Sequence, residues 1–385
     1  MQILKLIFKN AFRHKLRTFL TILGVTIAIL AFGLLRTVIS AWYAGVEASS
    51  ATRLVTRNAV SLVFPLPLSY KEKIRQVEGV KQVSYGTWFG GIYIDEKNFF
   101  ANYAVEPKIY LKMYAEIIIP PGQMTAFLRD RKAAVAGRKL AERFGWRIGD
   151  IITLKGTIFP GNWDFVLRGI YKGRDQTVDE TAFFFHWDYL NEVLKKAGRS
   201  WADQVGWYMI EITNPSIAPD VSLRIDRMFK NSLAETLTET EKAFQLGFIS
   251  MSEAIVIAIQ LVSFVIIFII MAVVANTMAM TARERIGEYA IFKTLGFGAP
   301  HISLLIFGES LIITMTGAFL GIGLTFPAAR IFAKELSQFF PIFNVEHKTI
   351  VFDIIASLVV AIVAGIFPAW RATKIRIADG LRRIG

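Results

Sequence analysis

The stretch "RERIGEYAIFKTLGFGAPH" at residues 283–301 interrupts the most hydrophobic part of the chain. It lies between two apolar runs, 254–280 and 302–328, and two further runs occupy 18–40 and 350–370. Each run reaches the roughly 20 residues that cross about 30 Å of hydrocarbon. Charged residues make up only 19% of the 385-residue chain, and its mean hydropathy is +0.44. The sequence therefore predicts a polytopic α-helical membrane protein with four transmembrane helices.

The charges indicate how these helices are oriented. Residues 1–17 contain five basic and no acidic residues, and residues 371–385 contain five basic residues and one acidic residue. By the positive-inside rule, both termini and the segment 281–301 are predicted to be cytoplasmic, which leaves 41–253 outside. This outer region has 27 basic and 24 acidic residues, so the net charge of +13 does not indicate nucleic-acid binding.

The predicted organisation follows from these assignments. In chain order it comprises a cytoplasmic amphipathic helix (1–17), a first span (18–40), a large outer domain with its stalks (41–253), a second span (254–280), a cytoplasmic loop (281–301), a third span (302–328), a short outer loop (329–349), a fourth span (350–370) and a cytoplasmic tail (371–385). Simple basic flanking of the first span is the alternative for residues 1–17. The first apolar core is longer than a signal peptide needs and no A-x-A site follows it, so a retained anchor helix is favoured.

The outer region is long enough for a core of its own. Its predicted elements are a helix ending at Gly79 and a strand within 69–94, a strand, helix, Gly149-Asp150 turn and strand within 133–156, strands at 165–171 and 205–213, and a helix at 217–231. This alternation predicts a mixed α/β domain, divided into two subdomains. The linkers 41–57 and 232–253 contain no Pro and are predicted to extend the first two spans as helical stalks.

Residues that could perform catalysis are scattered. The chain has no P-loop, no H-E-x-x-H pattern and no cysteine, which excludes disulfides and thiol chemistry. The four histidines are His14, His186, His301 and His347, each in a different segment. Asp175, Asp179 and Glu180 cluster at one place, where we predict a solvated turn rather than an acid and base pair. The chain is therefore not expected to be an enzyme, nor to bind a metal or cofactor itself.

Aromatic residues are concentrated in the second half of the outer region. The segment "AFFFHWDYL" at 182–190 is followed by Trp201, Trp207 and Tyr208. Such residues more often belong to a core, and an exposed groove for an apolar or lipidic cargo remains the alternative.

The third span contains an ionisable residue and a small-residue motif. Glu309 lies about two turns from the cytoplasmic end, where an ionisable group faces protein or water, and we favour a packing or hydrogen-bonding role over an ion pathway. Gly317 and Gly321 form a small-x-x-x-small pair that permits close approach of another helix.

The charged stretch itself is predicted to form a helix from Arg283 to Leu295, capped by Gly296. One interpretation is an amphipathic helix that rests on lipid headgroups. The alternative is a docking helix that presents Tyr289 and Phe292 as apolar anchors. Its charged rim would consist of Arg283, Glu284, Arg285 and Glu288.

These residues resemble a known family, the MacB/FtsX-like ABC transporter permeases, a type VII group that includes the lipoprotein-release subunits LolC and LolE. The matching positions after the second span are Arg285, Gly287, Glu288, Lys293, Leu295 and Gly296, with Thr294 where alanine is common. Near the C-terminus the matches are Pro368, Ala369, Ala372, Leu381 and Arg382, and Ile377 departs from the family's second proline. Glu309 with Gly317 and Gly321 is similar to the family's third span, and "AGRKLAERFGWRIGD" to the start of its outer core.

The resemblance implies a permease subunit that has no ATPase domain fused before its first span. A separate ABC ATPase with ATP and Mg²⁺ would then dock on a coupling helix at 283–296, and two permeases, identical or paralogous, would form a dimer. Such proteins transmit ATP-driven motion to their outer domain (mechanotransmission) and drive export or extraction of cargo from the outer face of a bacterial inner membrane. Expected partners are a membrane-fusion adaptor with an outer-membrane duct, or a lipoprotein cargo. The alternative is an FtsX-like signalling protein that activates a cell-wall hydrolase or reports to a sensor kinase.

Overall fold

A computed structural model describes residues 2–175, 177–250, 252–335, 340 and 342–374. The described residues divide into two compact units. The helical unit contains those within 1–41, 252–335 and 343–385, and the sheet unit contains those within 42–251 and 336–342. Each unit is described below by itself.

The described secondary structure consists of helices and strands in the following order. The helices are α1 (Gln2–Ala11), α2 (Lys15–Ala48), α3 (Tyr70–Arg75), α4 (Tyr110–Met113), α5 (Pro121–Arg129), α6 (Arg138–Phe144), α7 (Trp187–Lys196), α8 (Ala218–Met228), α9 (Glu241–Ser250), α10 (Glu253–Glu284), α11 (Ile286–Thr294), α12 (Ala299–Glu335) and α13 (His347–Thr373). The strands are β1 (Arg53–Asn58), β2 (Leu66–Pro67), β3 (Val80–Trp88), β4 (Gly91–Ile92), β5 (Asn102–Val105), β6 (Ile117–Ile118), β7 (Ala133–Gly137), β8 (Ile151–Gly156), β9 (Gly161–Gly173), β10 (Phe183–His186), β11 (Gln204–Val205), β12 (Trp207–Ile212) and β13 (Thr236–Thr240).

Four helices of the described chain are long and apolar enough to span a membrane, as predicted. They are Lys15–Val46 within α2, together with α10, α12 and α13. A helix satisfies its backbone hydrogen bonds internally, which is the requirement for crossing hydrocarbon. Each predicted apolar run lies inside one of these helices, and the mixed α/β domain lies between the first and the second of them.

The Gly317–Gly321 face of α12 packs against α2, as the small-residue motif predicts. A Cβ atom on Gly317 would lie 2.7 Å from Cβ of Val25, and one on Gly321 would lie 2.8 Å from the carbonyl oxygen of Thr26. The Thr26 hydroxyl also donates to the carbonyl oxygen of Gly317 (3.2 Å). Any larger residue at either glycine would force the two backbones apart.

The sheet unit is built on one long mixed sheet. Its strand order is β13-β1-β12-β3-β5-β10-β7-β9-β8-β4, with β6 added beside β9, and β2 and β11 form a separate pair. The pairs β10/β5 and β7/β9 are parallel, and the other pairs are antiparallel. The expected division into two subdomains is therefore wrong, because a single sheet runs through the whole unit.

Successive residues of the central strands point to opposite faces of this sheet. In β10, Phe183 and Phe185 enter the core that is covered by α3, α6, α7 and α8, whereas Phe184 enters the smaller core on the opposite face, beside α4 and α5. Trp187 and Tyr208 are also buried, so the aromatic segment 182–190 is largely core, as predicted.

The helical stalks predicted at 41–57 and 232–253 are only partly present. Helix α2 continues to Ala48 and α9 covers Glu241–Ser250, but β1 and β13 occupy the outer part of each linker. The two strands pair with each other, and Thr56 exchanges a hydrogen bond with Thr238 (2.9 Å). Sheet pairing therefore replaces helix at these positions.

The predictions for 69–94 and 133–156 are confirmed. Helix α3 is followed by Gly79, with φ of +90°, and then by β3. Strand β7, helix α6 and strand β8 follow in the predicted order, and Gly149 has φ of +100° at the turn before β8. Both positions require the left-handed backbone that glycine adopts readily.

Candidate functional site

The charged stretch forms a separate short helix, α11, after a break at Arg285. Helix α10 ends at Glu284 and α11 begins at Ile286, so the single helix predicted from Arg283 is divided in two. At the other end Gly296 has φ of +90°, its N–H donates to Lys293, and the N–H of Phe297 donates to Phe292. These are the capping bonds of a glycine-terminated helix, as predicted.

The side chain of Arg285 joins the break to the third span-length helix. Its Nε donates to Glu288 (2.8 Å) and its Nη1 donates to Glu309 on α12 (3.0 Å). The guanidinium also lies 5.4 Å from the ring centroid of Tyr289. Only 4% of the Arg285 side chain and 6% of the Glu309 side chain is exposed, so this ion pair is shielded from solvent.

Two further ion pairs join this region to the start of the chain. Arg17 donates to both carboxylate oxygens of Glu284 (2.8 Å each), and Arg13 binds Glu288. Partial burial raises the pKa of Glu288, but the hydrogen bonds from Arg285 and Arg13 outweigh it and hold that pKa below its ordinary value. Glu288 therefore remains ionised at neutral pH and binds both cations.

Tyr289 is not the exposed anchor that the docking interpretation required. It is 1% exposed and packs in a cluster with Ile302 and Ile306 of α12 and with Ala369 and Ala372 of α13. Burial raises the pKa of its hydroxyl to about 12. Tyr289 thus fixes α11 to the helical unit, and a partner cannot reach it in this structure.

The exposed apolar side chains lie at the end of α11. Leu295 is 69% exposed, and Ile291 and Phe297 are about 40% exposed. Phe292, the second predicted anchor, is half-buried beside Phe297 (5.7 Å between ring centroids). A cavity of about 300 Å³ adjoins them and is lined by Leu6, Phe292, Phe297, His301, Ile302, Leu304 and Leu305. We call the three exposed residues, Ile291, Leu295 and Phe297, the apolar tip.

The remaining predicted loop residues lie around this helix. Arg283 is exposed at the end of α10, and Gly287 is half-buried in the first turn of α11. Lys293 donates to the carbonyl oxygen of Thr373 at the end of α13 (2.8 Å). Of the C-terminal pattern, Pro368 is buried within α13, like the two alanines of the Tyr289 cluster. Ile377, Leu381 and Arg382 lie outside the described residues.

The predicted packing role of Glu309 matches its ion pair with Arg285. Sequence analysis missed a second polar position, formed by Arg36 of α2 and Asp353 of α13. Asp353 is 1% exposed, and its Oδ2 would lie 3.0 Å from a Cβ atom on Gly33. Within the described part of the chain, neither Oδ1 of Asp353 nor Nε of Arg36 has a hydrogen-bond partner. Opposite charges in the first and fourth apolar runs were the signal for this position.

The acidic cluster in the sheet unit is not a simple solvated turn. Asp175 is exposed, but Glu180 is buried, accepts from Arg138 (2.6 Å) and also accepts from the backbone N–H of Gly173 (2.8 Å). Asp179 is half-buried, and burial raises the pKa of its carboxyl. Glu180 therefore orders the chain around β9.

The histidines lie apart, each in its own surroundings. His186 is buried and hydrogen-bonded to the carbonyl oxygen of Phe127 (2.8 Å), and burial lowers its pKa. Across residues 2–175, 177–250, 252–335, 340 and 342–374, no group of three metal-ligating side chains occurs.

Comparison with known proteins places both units. Residues 18–227, more than half of the chain, match the family model described as MacB-like periplasmic core domain, and residues 260–377 match the FtsX-like permease C-terminal model. An uncharacterized ABC transporter permease of Methanocaldococcus jannaschii is 26% identical over 400 residues, which covers 97% of this chain and 96% of the relative. The uncharacterized ABC transporter permease YvrN of Bacillus subtilis is 32% identical over 110 residues, 28% of this chain and 26% of its own.

Two solved structures show weaker likeness. The extracellular domain of the noncanonic ABC-type transporter YknZ from Gram-positive bacteria has a TM-score of 0.36 at 13% identity, with 49% of this chain and 98% of that one covered. The periplasmic region of MacB from Actinobacillus actinomycetemcomitans has a TM-score of 0.37 at 10% identity, with 53% of this chain and 95% of that one covered.

Proposed function

Because the chain belongs to the MacB/FtsX-like ABC transporter permeases, as its two family matches show, we propose that it couples ATP hydrolysis by a separate ATPase subunit to movement of its sheet unit. A permease of this family is a multi-pass membrane protein, and permease subunits are generally not catalytic themselves. ATP and Mg²⁺ would bind to the ATPase.

The observation that carries this proposal is the way α11 is held. Arg285 and Tyr289 attach it to α12 and α13, Lys293 attaches it to the end of α13, and Arg13 attaches it to the N-terminal segment. A displacement applied to α11 would therefore be passed to several span-length helices together. A coupling helix requires this property, because a loosely attached segment would absorb the motion.

The docking surface is the apolar tip together with the adjoining cavity. Exposed apolar residues beside a charged rim are typical of protein interfaces. Arg283 and the partly exposed carboxylates of Glu284 and Glu288 supply that rim, although both carboxylates are also engaged in ion pairs. We infer that the predicted coupling segment 283–296 docks through Leu295 and its neighbours, and that Tyr289 supports the helix from inside.

The assembly proposed here contains two permease chains, identical or paralogous, and two ATPases. The N- and C-termini and the apolar tip would face the cytoplasm, as the basic terminal segments favour. The sheet unit would act by mechanotransmission on cargo at the outer face of the membrane. Such cargo is either a lipoprotein that is extracted or a substrate handed to a membrane-fusion adaptor and outer-membrane duct. No observation on the described residues favours the signalling alternative.

The experiment is ATPase stimulation in a purified complex. The chain is co-purified with an ABC ATPase subunit from the same organism that binds it, and ATP hydrolysis is measured with and without the Leu295→Asp substitution. A central apolar contact that becomes charged is expected to lower permease-dependent hydrolysis about tenfold or more. Leu233→Asp, at a fully exposed leucine of the sheet unit, is the matched control and should leave hydrolysis unchanged.

Normal co-purification and normal stimulation in both Leu295→Asp and Phe297→Asp would refute the docking assignment. Tyr289→Ala is the less informative variant, because removal of a buried ring disturbs the packing of α11 as well as any contact with a partner.

A further inference from the structure

The sheet unit contains a cavity of about 660 Å³ on the less covered face of the sheet, the face that carries Val55 and Met209. Its volume lies in the range of small-molecule sites. The walls are mainly aromatic side chains from β3, β5, β12 and the helices α4 and α9. These include Trp88, Tyr103, Tyr110, Trp207, Phe244 and Phe248.

The aromatic walls are fixed by contacts with one another. The ring of Tyr103 meets Trp88 edge-to-face (5.2 Å between centroids, 78°) and meets Trp207 in the same manner (5.8 Å, 89°). On α9, Phe244 and Phe248 are likewise perpendicular (5.1 Å). Rings held in this way lose little further side-chain freedom when a ligand enters.

Among the described residues that line the cavity, Glu241 is the only charged one. Its side chain is 6% exposed, and it accepts hydrogen bonds at Oε2 from the backbone N–H of Ser50 (2.9 Å) and from Nε of Arg53 (2.7 Å). The described hydrogen bonds do not use Oε1. Glu241 therefore retains acceptor capacity at the edge of a mainly apolar cavity.

Arg53 does not neutralise both of its acidic partners. Its guanidinium binds Glu116 (2.5 Å) as well as Glu241 and lies over the ring of Tyr114 (4.3 Å). One cation is thus shared between two carboxylates, so these three side chains together carry an excess of one negative charge. In a poorly solvated site this excess favours a positive ligand and disfavours a negative one.

We propose that this cavity binds a lipophilic organic cation. Its apolar body lies between the aromatic walls, and its positive charge faces the Trp and Tyr rings and the Glu241 carboxylate. Rings attract a desolvated cation through their negative faces, and the buried carboxylate supplies the counter-charge that an apolar chamber alone would lack. The proposal concerns a ligand of the sheet unit and does not depend on ATPase docking at α11.

The test compares two ions of the same shape and opposite charge, tetraphenylphosphonium and tetraphenylborate. The full chain is reconstituted in nanodiscs, binding is measured by equilibrium dialysis and by quenching of tryptophan fluorescence, and protein-free nanodiscs are subtracted. Saturable binding of one tetraphenylphosphonium per chain, at least tenfold tighter than that of tetraphenylborate, is the expected result. Equal binding of the two ions, or tighter binding of the borate, would overturn the proposal and indicate a site for neutral apolar ligands.

Variants locate the binding. Trp88→Leu and Phe248→Ala remove parts of the aromatic wall and are each expected to weaken tetraphenylphosphonium binding about fivefold, whereas Trp370→Leu, at an exposed tryptophan of the helical unit, should have no effect. Glu241→Gln is expected to weaken it at least tenfold and to narrow the difference between the two ions. If the Glu241→Gln protein does not fold because it lacks the ion pair with Arg53, the Trp88→Leu and Phe248→Ala variants still show whether the ion binds in this cavity.

Unchanged binding in both wall variants would place the ion elsewhere and overturn the proposal. The apolar-tip variant Leu295→Asp should bind tetraphenylphosphonium normally. Normal ATPase stimulation in the apolar-tip variants would refute the proposed docking and leave ion binding untouched, whereas unchanged ion binding in the wall variants would refute this inference and leave the docking untouched, so the two failures are distinguishable.

Discussion

The two units each bury an arginine between two glutamates and against a tyrosine ring, but they complete the arrangement differently. In the sheet unit all three nitrogens of Arg53 are engaged. Nε binds Glu241, Nη2 binds Glu116, and Nη1 binds the carbonyl oxygen of Met113 (3.1 Å) as well as Glu116. Tyr114 covers the guanidinium face.

In the helical unit Arg285 has fewer bonds. Nε binds Glu288 and Nη1 binds Glu309, but within the described chain Nη2 is buried without a hydrogen-bond partner. Glu288 is also about one-third exposed and is shared with Arg13. The arrangement around Arg285 thus contains an unused hydrogen-bond donor and a carboxylate that solvent reaches.

This difference indicates which arrangement can rearrange. If Arg53 moves away, two carboxylates and a carbonyl oxygen lose their hydrogen-bond donor. Arg285, in contrast, has one unused donor, and one of its two carboxylates is already in contact with water. The fully bonded site of Arg53 keeps the sheet unit rigid. The site of Arg285 can exchange its ion-pair partners, which suits a helix that transmits motion. The following predictions measure this contrast.

Replacement of Arg53 is expected to have the largest effect. Arg53→Met leaves Glu241 and Glu116 without their cation, and breaking a buried pair in this manner costs about 3–5 kcal/mol. Denaturant unfolding followed by tryptophan fluorescence measures the loss. Arg224→Met is the matched control, because Arg224 also pairs with two acidic residues but is half exposed; its cost should stay below about 1 kcal/mol. Equal losses in the two variants would contradict the prediction.

Replacement of Arg285 should cost less, about 2–3 kcal/mol, because water can solvate Glu288 and only Glu309 remains buried without a partner. Hydrogen–deuterium exchange of residues 283–297 measures the opening of α11. Arg285→Met combined with Glu309→Gln should recover part of the protection, since the unpaired buried charge is gone. No recovery in the double variant would show that the two side chains act independently.

The stability of α11 should depend on acidity through Glu288. The pKa of Glu288 is held below its ordinary value in the folded chain, so its contribution is fully present above the unfolded pKa and is lost as the pH falls through the lower, folded pKa. Exchange protection of α11 should therefore be constant above about pH 5 and fall below about pH 4, by an amount on the order of 1 kcal/mol. Glu288→Gln should remove this dependence, and a dependence that persists in it would implicate another carboxylate.

The pair between Arg13 and Glu288 should contribute least. Both side chains are partly exposed, and such pairs contribute about 0.2–1 kcal/mol. Arg13→Ala should therefore change the exchange protection of α11 by no more than about fivefold. The change should be smaller still at high salt, because salt screens exposed ion pairs. A loss as large as that of Arg285→Met would show that the N-terminal segment is the main support of α11.

The fold was predictable from the sequence where the signals are local. Apolar length identified the four span-length helices, and Gly79 and Gly149 marked turns that the structure contains. The strands β1 and β13 were missed because neither alternates clearly between apolar and polar residues. Their partners lie about 180 residues apart in the chain, as the bond from Thr56 to Thr238 shows.

The candidate site was predictable in extent but not in orientation. Gly296 marked the end of α11, yet nothing near Tyr289 in the sequence showed that its ring would be covered by Ile302 of α12 and Ala369 of α13. The face of a helix that is buried depends on neighbours from other segments. Leu295, whose exposure makes it the better docking candidate, follows the last residue of α11 and carries no charge pattern of its own.

The packing of Gly317 against Val25 has a consequence for biosynthesis. The two residues are 292 positions apart in the chain. At about 5–20 residues per second, the ribosome needs roughly 15–60 s to synthesise the segment between them. During that interval α2 is in the bilayer, but the glycine face of α12 that packs against it has not yet been synthesised. The hydroxyl of Thr26 donates to the carbonyl oxygen of Ile22 in the same helix (2.8 Å). The hydroxyl of Thr26 therefore has a hydrogen-bond partner within α2 before α12 is synthesised.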